Sequence, residues 1–157
     1  MMAKALEIGD MAPDFSLPGD GGTTVSLLGL RGKKIVLYFY PKDDTSGCTL
    51  EAKNFHDLIG VFAKTNAVII GMSIDSVASH DKFKKKYELG FALASDESKD
   101  TVAAYGVWVE KSMYGKKYMG IERTTVLIDA TGTIARVWNK VKVPGHADEV
   151  LAAAQSI

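Results

Sequence analysis

The chain has one cysteine in 157 residues. That excludes an intrachain disulfide framework and any cysteine-rich zinc site. A lone thiol fits a reducing, cytoplasmic setting. Charge of either sign is equally scarce in the net: 19 basic and 19 acidic side chains cancel. No basic excess marks a nucleic-acid partner, and no acidic tail suggests a solvating region. Long hydrophobic runs are missing too. IVLYFY at 35–40 is far short of the roughly 20 apolar residues that a membrane-spanning helix needs, so no membrane partner is expected. The opening MMAKALEIGD lacks the apolar centre of an export signal, so none is expected. Repeats, low-complexity stretches and long linkers are absent as well. A single domain over 1–157 is the simplest organisation, and 46% hydrophobic residues are enough for its core.

What is present is a regular alternation of apolar runs and helical spacing. After short extended pieces around the turn GDGG at 19–22, the run at 35–40 is apolar on both faces, as a central strand covered on both sides would be. Pro41 ends it. In 46–63, Phe55, Leu58, Ile59 and Phe62 form one helical stripe. AVIIGMSI at 67–74 is a second buried strand. The spacing predicts a helix from Ser79 to about 87, a short strand at 91–94, a short helix at 99–105 and a hairpin of 124–129 with 133–138. An alanine-rich helix at 146–155 follows. The segment VEKSMYGKKYMG at 109–120 reads as a solvated loop, with a reductant's docking surface as its other possible use. The order β-α-β-α-β-β-α, after an N-terminal β extension, implies an α/β domain with a central mixed sheet and helices on both faces. It resembles the thioredoxin fold, which by itself leaves function open.

The single cysteine lies in YFYPKDDTSGCTLEA, at the predicted start of a helix. There a thiol faces unpaired backbone N–H groups and the positive end of the helix dipole, both of which favour the thiolate. A free thiol titrates near about 8.5, and such settings lower that to roughly 3.5–7.5. Thr45 is placed as the N-cap. Asp43 and Asp44 oppose a thiolate, so a cation must come from elsewhere in the fold. Arg123, just before the buried run TTVLID, is the candidate.

Pro41, Thr45 and Cys48 spell P-x-x-x-T-x-x-C, and here the chain resembles the peroxiredoxins. APDFSLP at 12–18, YFYPKDDTSGCTLEA at 38–52 and GIERTTVLID at 120–129 resemble, in order, the bacterioferritin comigratory protein or Q-type branch. The resemblance implies a thiol-dependent peroxidase acting on hydrogen peroxide and organic hydroperoxides. Cys48 matches the peroxidatic cysteine, Thr45 the threonine that orients the peroxide, and Arg123 the arginine that stabilises thiolate and peroxide. Pro41 matches the proline that shields the pocket, Gly47 belongs to the supporting loop, and Glu51 matches the glutamate that orients the arginine. No cofactor is implied, and relatives of this branch are often monomers or weak homodimers.

Two departures stand out. Ser46 replaces the family's usual proline, which would pre-set the first helical turn. Where many relatives carry a resolving cysteine this chain has Lys53 and Lys84, so the resolving cysteine is missing. The chain is identified as a one-cysteine variant whose sulfenic acid needs an external thiol, namely thioredoxin, glutaredoxin or a small thiol. The rival reading is a non-turnover redox sensor or holdase on the same scaffold.

Other chemistries lack their residues. A thioredoxin-type oxidoreductase needs C-x-x-C, and position 45 is threonine. Asp43 and Asp44 are adjacent, unlike the D-x-D-x-T of aspartate phosphatases. Gly115-Lys116-Lys117 lacks a P-loop's upstream glycine. His56 is eight residues beyond Cys48, about 12 Å along a straight helix at about 1.5 Å per residue. It therefore cannot pair with the thiol along that helix, and no other histidine is local to the thiol, as a cysteine hydrolase would need. His80 and His146 are expected at the surface or as caps. No spacing among the three resembles a metal site.

Overall fold

A computed structural model describes residues 6–157. Residues 1–5, part of the stretch read above as lacking an export signal, lie outside it. Among the described residues no helix is long and apolar enough to cross a membrane.

The core is a five-stranded mixed sheet in the order β5-β4-β3-β8-β9. Its centre is β3 (Lys34–Phe39), which pairs in parallel with β4 (Ala67–Ser73) and antiparallel with β8 (Thr124–Ile128). Parallel β5 (Ala92–Ser95) and antiparallel β9 (Ile134–Trp138) complete the edges. Alternation along β3 divides the core. Val36, Tyr38 and Tyr40 pack against α1 (Ser46–Asp57), α2 (Ile59–Lys64), α3 (Val77–Tyr87) and α5 (His146–Gln155). Ile35, Leu37 and Phe39 pack against Val102 and Tyr105, in and just after α4 (Asp100–Ala104), and against Phe15, Val25 and Leu27. The last three come from the N-terminal extension, whose strands β1 (Ser16–Pro18) and β2 (Thr24–Ser26) pair antiparallel. Helices thus cover both faces, as expected for a thioredoxin-like sheet, but unevenly.

Three expectations change. The helix at 46–63 is two helices, because Leu58 leaves helical geometry at φ −102°, ψ 5°. The α3 helix begins at Val77 rather than Ser79, since the Ser76 side chain caps it by accepting from the Ser79 N–H at 3.1 Å. The supposed loop at 109–120 is a hairpin of β6 (Trp108–Met113) and β7 (Lys116–Ile121). Tyr114 and Gly115 both have positive φ, 52° and 79°. That conformation matches the twist of a two-residue hairpin turn, and glycine adopts it without a Cβ penalty.

Candidate active site

Topology brings the site together before any side chain is considered. Phe39 at the end of β3 registers with Thr124 at the start of β8. Arg123 therefore enters the sheet beside the point where the chain leaves β3, passes Pro41 and turns into α1. That turn contains Asp44 at φ 59°, a left-handed conformation that Asp tolerates better than most residues.

Cys48 sits in the first turn of α1 and is 1% exposed. Arg123 directs Nη2 at its sulfur at 3.3 Å and Nη1 at Glu51 Oε1 at 2.7 Å. Gly47 explains how the guanidinium gets so close: a Cβ there would stand 3.2 Å from Nη2. Helical spacing puts Cys48 and Glu51 on one face, so a single cation bridges both. Glu51 is 1% exposed, and its Oε2 has no hydrogen-bond partner among the described residues. Burial pushes its carboxyl up to about 7, against the opposing pull of Arg123. The Arg123 guanidinium is raised by Glu51 and Cys48, although burial works against it.

Thr45 is the N-cap by position, with extended backbone at φ −91°, ψ 157°. Its hydroxyl does not cap the helix. It donates instead to the Lys42 carbonyl at 2.9 Å, closing the turn before the helix, and its lone pairs stay free to accept. Pro41 is half-buried at the end of β3. Thus Cys48, Arg123, Glu51 and Gly47 meet, while Thr45 and Pro41 frame the loop that delivers them.

The two aspartates before the cysteine are engaged elsewhere. Asp44 accepts from Lys86 Nζ at 2.8 Å and Tyr87 OH at 2.6 Å. Asp43 accepts from Tyr40 OH at 2.6 Å, Ser79 Oγ at 2.8 Å and His80 Nδ1 at 2.7 Å. Both carboxylates are held by α3 or by Tyr40, so their charge is compensated rather than left against the thiol.

His80 overturns its expected surface position: it is fully buried. Its Nε2 meets the Ala94 carbonyl at 2.9 Å while Nδ1 meets Asp43. A carbonyl and a carboxylate both accept, so this pair of contacts favours a doubly protonated, cationic ring. The bond and charge of Asp43 raise its pKa, although burial, the largest effect, lowers it. His146 is buried as well, with Nε2 2.8 Å from Thr125 Oγ1 and its pKa lowered by burial. His56 Nδ1 accepts the Gly90 N–H at 3.0 Å, away from the thiol.

Sequence reasoning missed the Asp43–His80 pair. Asp43, Asp75 and His80 bring ligand-type atoms within 4.8 Å of one another. Asp75 Oδ2 already accepts from the Asp43 N–H and Ser73 Oγ. The cluster is therefore closed by its own hydrogen bonds. At the two positions where the resemblance implies a resolving thiol, Lys53 is exposed and Lys84 pairs with Asp20 at 2.7 Å, fastening α3 to the N-terminal extension.

A family model described as AhpC/TSA matches residues 8–137. A putative peroxiredoxin Bcp of Coxiella burnetii is 53% identical over 147 residues, 94% of this chain and 97% of the relative. Peroxiredoxin Bcp of Bacillus subtilis is 52% identical over 146 residues, 93% of each. A solved structure of the Xanthomonas campestris bacterioferritin comigratory protein, described for its alkyl peroxide reduction activity, has a TM-score of 0.87. It is 46% identical, with 90% of each chain covered. The match spans the central strand, the Cys48 loop and the Arg123 segment alike, and the chain belongs to the AhpC/TSA family, as a peroxiredoxin of the bacterioferritin comigratory protein or Q branch with a single cysteine.

Proposed function

We propose that this chain reduces hydrogen peroxide and organic hydroperoxides through Cys48 and is regenerated by an external thiol. The observation that carries this reading is Arg123 Nη2 at 3.3 Å from the Cys48 sulfur, at a helix start. A cation there favours negative charge on sulfur and on the oxygen that leaves it. The alkyl peroxide reduction named for the Xanthomonas campestris relative supports the same substrate class.

In the proposed step the Cys48 thiolate attacks one peroxide oxygen. An S–O bond forms and the O–O bond breaks, giving Cys48 sulfenic acid and an alkoxide or hydroxide that takes up a proton. Sulfur loses two electrons and the peroxide gains them. The free lone pairs of Thr45 accept from the peroxide O–H, Arg123 holds both sulfur and peroxide, and Glu51 and Gly47 keep the guanidinium in place. Pro41 shields the loop. The chain's single cysteine leaves no internal thiol to resolve the sulfenic acid. One external thiol displaces water to form a mixed disulfide, and a second releases Cys48. With Cys48 1% exposed, the first turn of α1 opens to admit that thiol.

The test is peroxide consumption with excess peroxide and, in turn, thioredoxin, glutaredoxin and a small dithiol. Many turnovers per chain with at least one of them, lost in Cys48→Ser, are expected. Consumption that stops after one equivalent with all three would replace this reading with the one-shot sensor or holdase.

A further inference from the structure

Orienting Arg123 does not account for all that Glu51 does. A carboxylate that only positions a guanidinium commonly does so with both oxygens, as a bidentate fork. Here the guanidinium is divided: Nη1 goes to Glu51 and Nη2 to Cys48, and Glu51 Oε2 is left buried without a partner among the described residues. An orphaned oxygen on a buried carboxylate is costly while the group is charged and far less so when it is protonated. One cation thus faces two groups that can each be anionic, in a place that compensates one anion.

The surroundings supply little other compensation. Tyr38 of β3 has a buried hydroxyl without a partner among the described residues, and burial holds it well above its usual range, so it stays neutral. The Asp43 carboxylate is engaged by Tyr40, Ser79 and His80. His146 of α5 is kept neutral by burial, which the nearby Arg123 reinforces. Lys111 of β6 is a second cation that acts on Cys48, but among the described residues it makes no hydrogen bond or ion pair with Cys48 or Glu51, and burial, followed by the charge of Arg123, lowers its own pKa.

We propose that Cys48 and Glu51 hold one negative charge between them against Arg123, so that Glu51 takes up a proton when Cys48 becomes a thiolate and gives it up when the thiolate is consumed. The two resting forms, Cys48 thiol with Glu51 carboxylate and Cys48 thiolate with Glu51 carboxylic acid, contain the same number of protons. If the peroxidase reading holds, the exchange also balances the chemical step. Thiolate, protonated Glu51 and hydroperoxide become sulfenic acid, Glu51 carboxylate and alcohol. Glu51 acts through Arg123, as a positioning residue whose charge changes.

The coupling is read without peroxide, so its failure is distinct from failure of the peroxidase reading. Cys48 ionisation is followed against pH by ultraviolet thiolate absorbance and by the rate of alkylation. Wild type is expected to ionise over a broadened, two-step range. In Glu51→Gln the ionisation becomes a single step about one pH unit lower, a roughly tenfold gain in thiolate over thiol below the midpoint. A midpoint that stays put or rises, as loss of mere orientation would give, overturns the proposal. The reciprocal arm uses Cys48→Ser and the infrared carbonyl stretch of protonated carboxyl groups, with Glu51→Gln identifying the Glu51 band. Without a competing thiolate, that band disappears at lower pH than in wild type. Disappearance at the same pH in both proteins overturns the coupling, whatever the stability of Glu51→Gln.

Discussion

Two buried clusters of ionisable groups flank the start of α1, and they are built in opposite ways. Around Asp43 the bonds are saturated: both carboxylate oxygens and both ring nitrogens of His80 have partners. Around Cys48 one guanidinium serves two acidic groups, and Glu51 Oε2 has no partner among the described residues. A saturated cluster fixes geometry, because any change of charge breaks bonds already made. An unsaturated one can change its proton count. The first cluster therefore holds the Cys48 loop on α3, and under the proposed function the second carries the chemistry.

The largest expected effect breaks the saturated side. His80→Leu leaves Asp43 buried without its cation and should lower stability by about 3–5 kcal/mol. Denaturant titration measures it. Alkylation of Cys48 in the still-folded protein should change little. A comparable loss of Cys48 reactivity with intact stability would reverse the assignment.

Arg123→Met addresses the other side. Peroxide reduction should fall by about 10²–10³, as on removal of one donor to developing charge. Stability at neutral pH should fall less than in His80→Leu, since Glu51 can stay protonated rather than remain an unpaired anion. Peroxide kinetics and thermal melts on both variants check this.

Stability against pH separates the clusters more finely. Folding raises the Glu51 carboxyl from 4.5 to about 7. A raised acid stabilises the fold fully below its unfolded value, and that contribution is lost as pH climbs between 4.5 and about 7. His80 is also raised, from 6.5. Its contribution is full below 6.5 and is lost as pH rises through its elevated value. Glu51→Gln should flatten the lower window and His80→Gln the upper one. The smallest effect is expected from Gly47→Ala, whose Cβ would crowd Arg123 Nη2 at 3.2 Å. A shift of a few tenths of an ångström should slow peroxide reduction by less than about tenfold.

The unsaturated cluster was largely legible in the sequence and the saturated one was not. Cys48, Gly47 and Glu51 lie within one helical turn, and Arg123 precedes an obvious buried run, so local pattern reached them. His80 sits in a lysine-rich helix that reads as solvated, and its partner is 37 residues away. Only the fold brings the two together. Thr45 was correctly placed at the helix start, but the direction of its hydroxyl depends on the turn geometry at Lys42. The β6–β7 hairpin was obscured by its charged, exposed residues, and Tyr114-Gly115 was its one clear turn signal.

The most direct test of the central claim is intact mass after one equivalent of hydrogen peroxide, with a sulfenic-acid trap, in wild type and Cys48→Ser. Rapid gain of one trap adduct is expected in wild type and none in Cys48→Ser. Wild type left unmodified, with the peroxide unconsumed, would contradict it and leave Cys48 a buried thiol held beside an arginine.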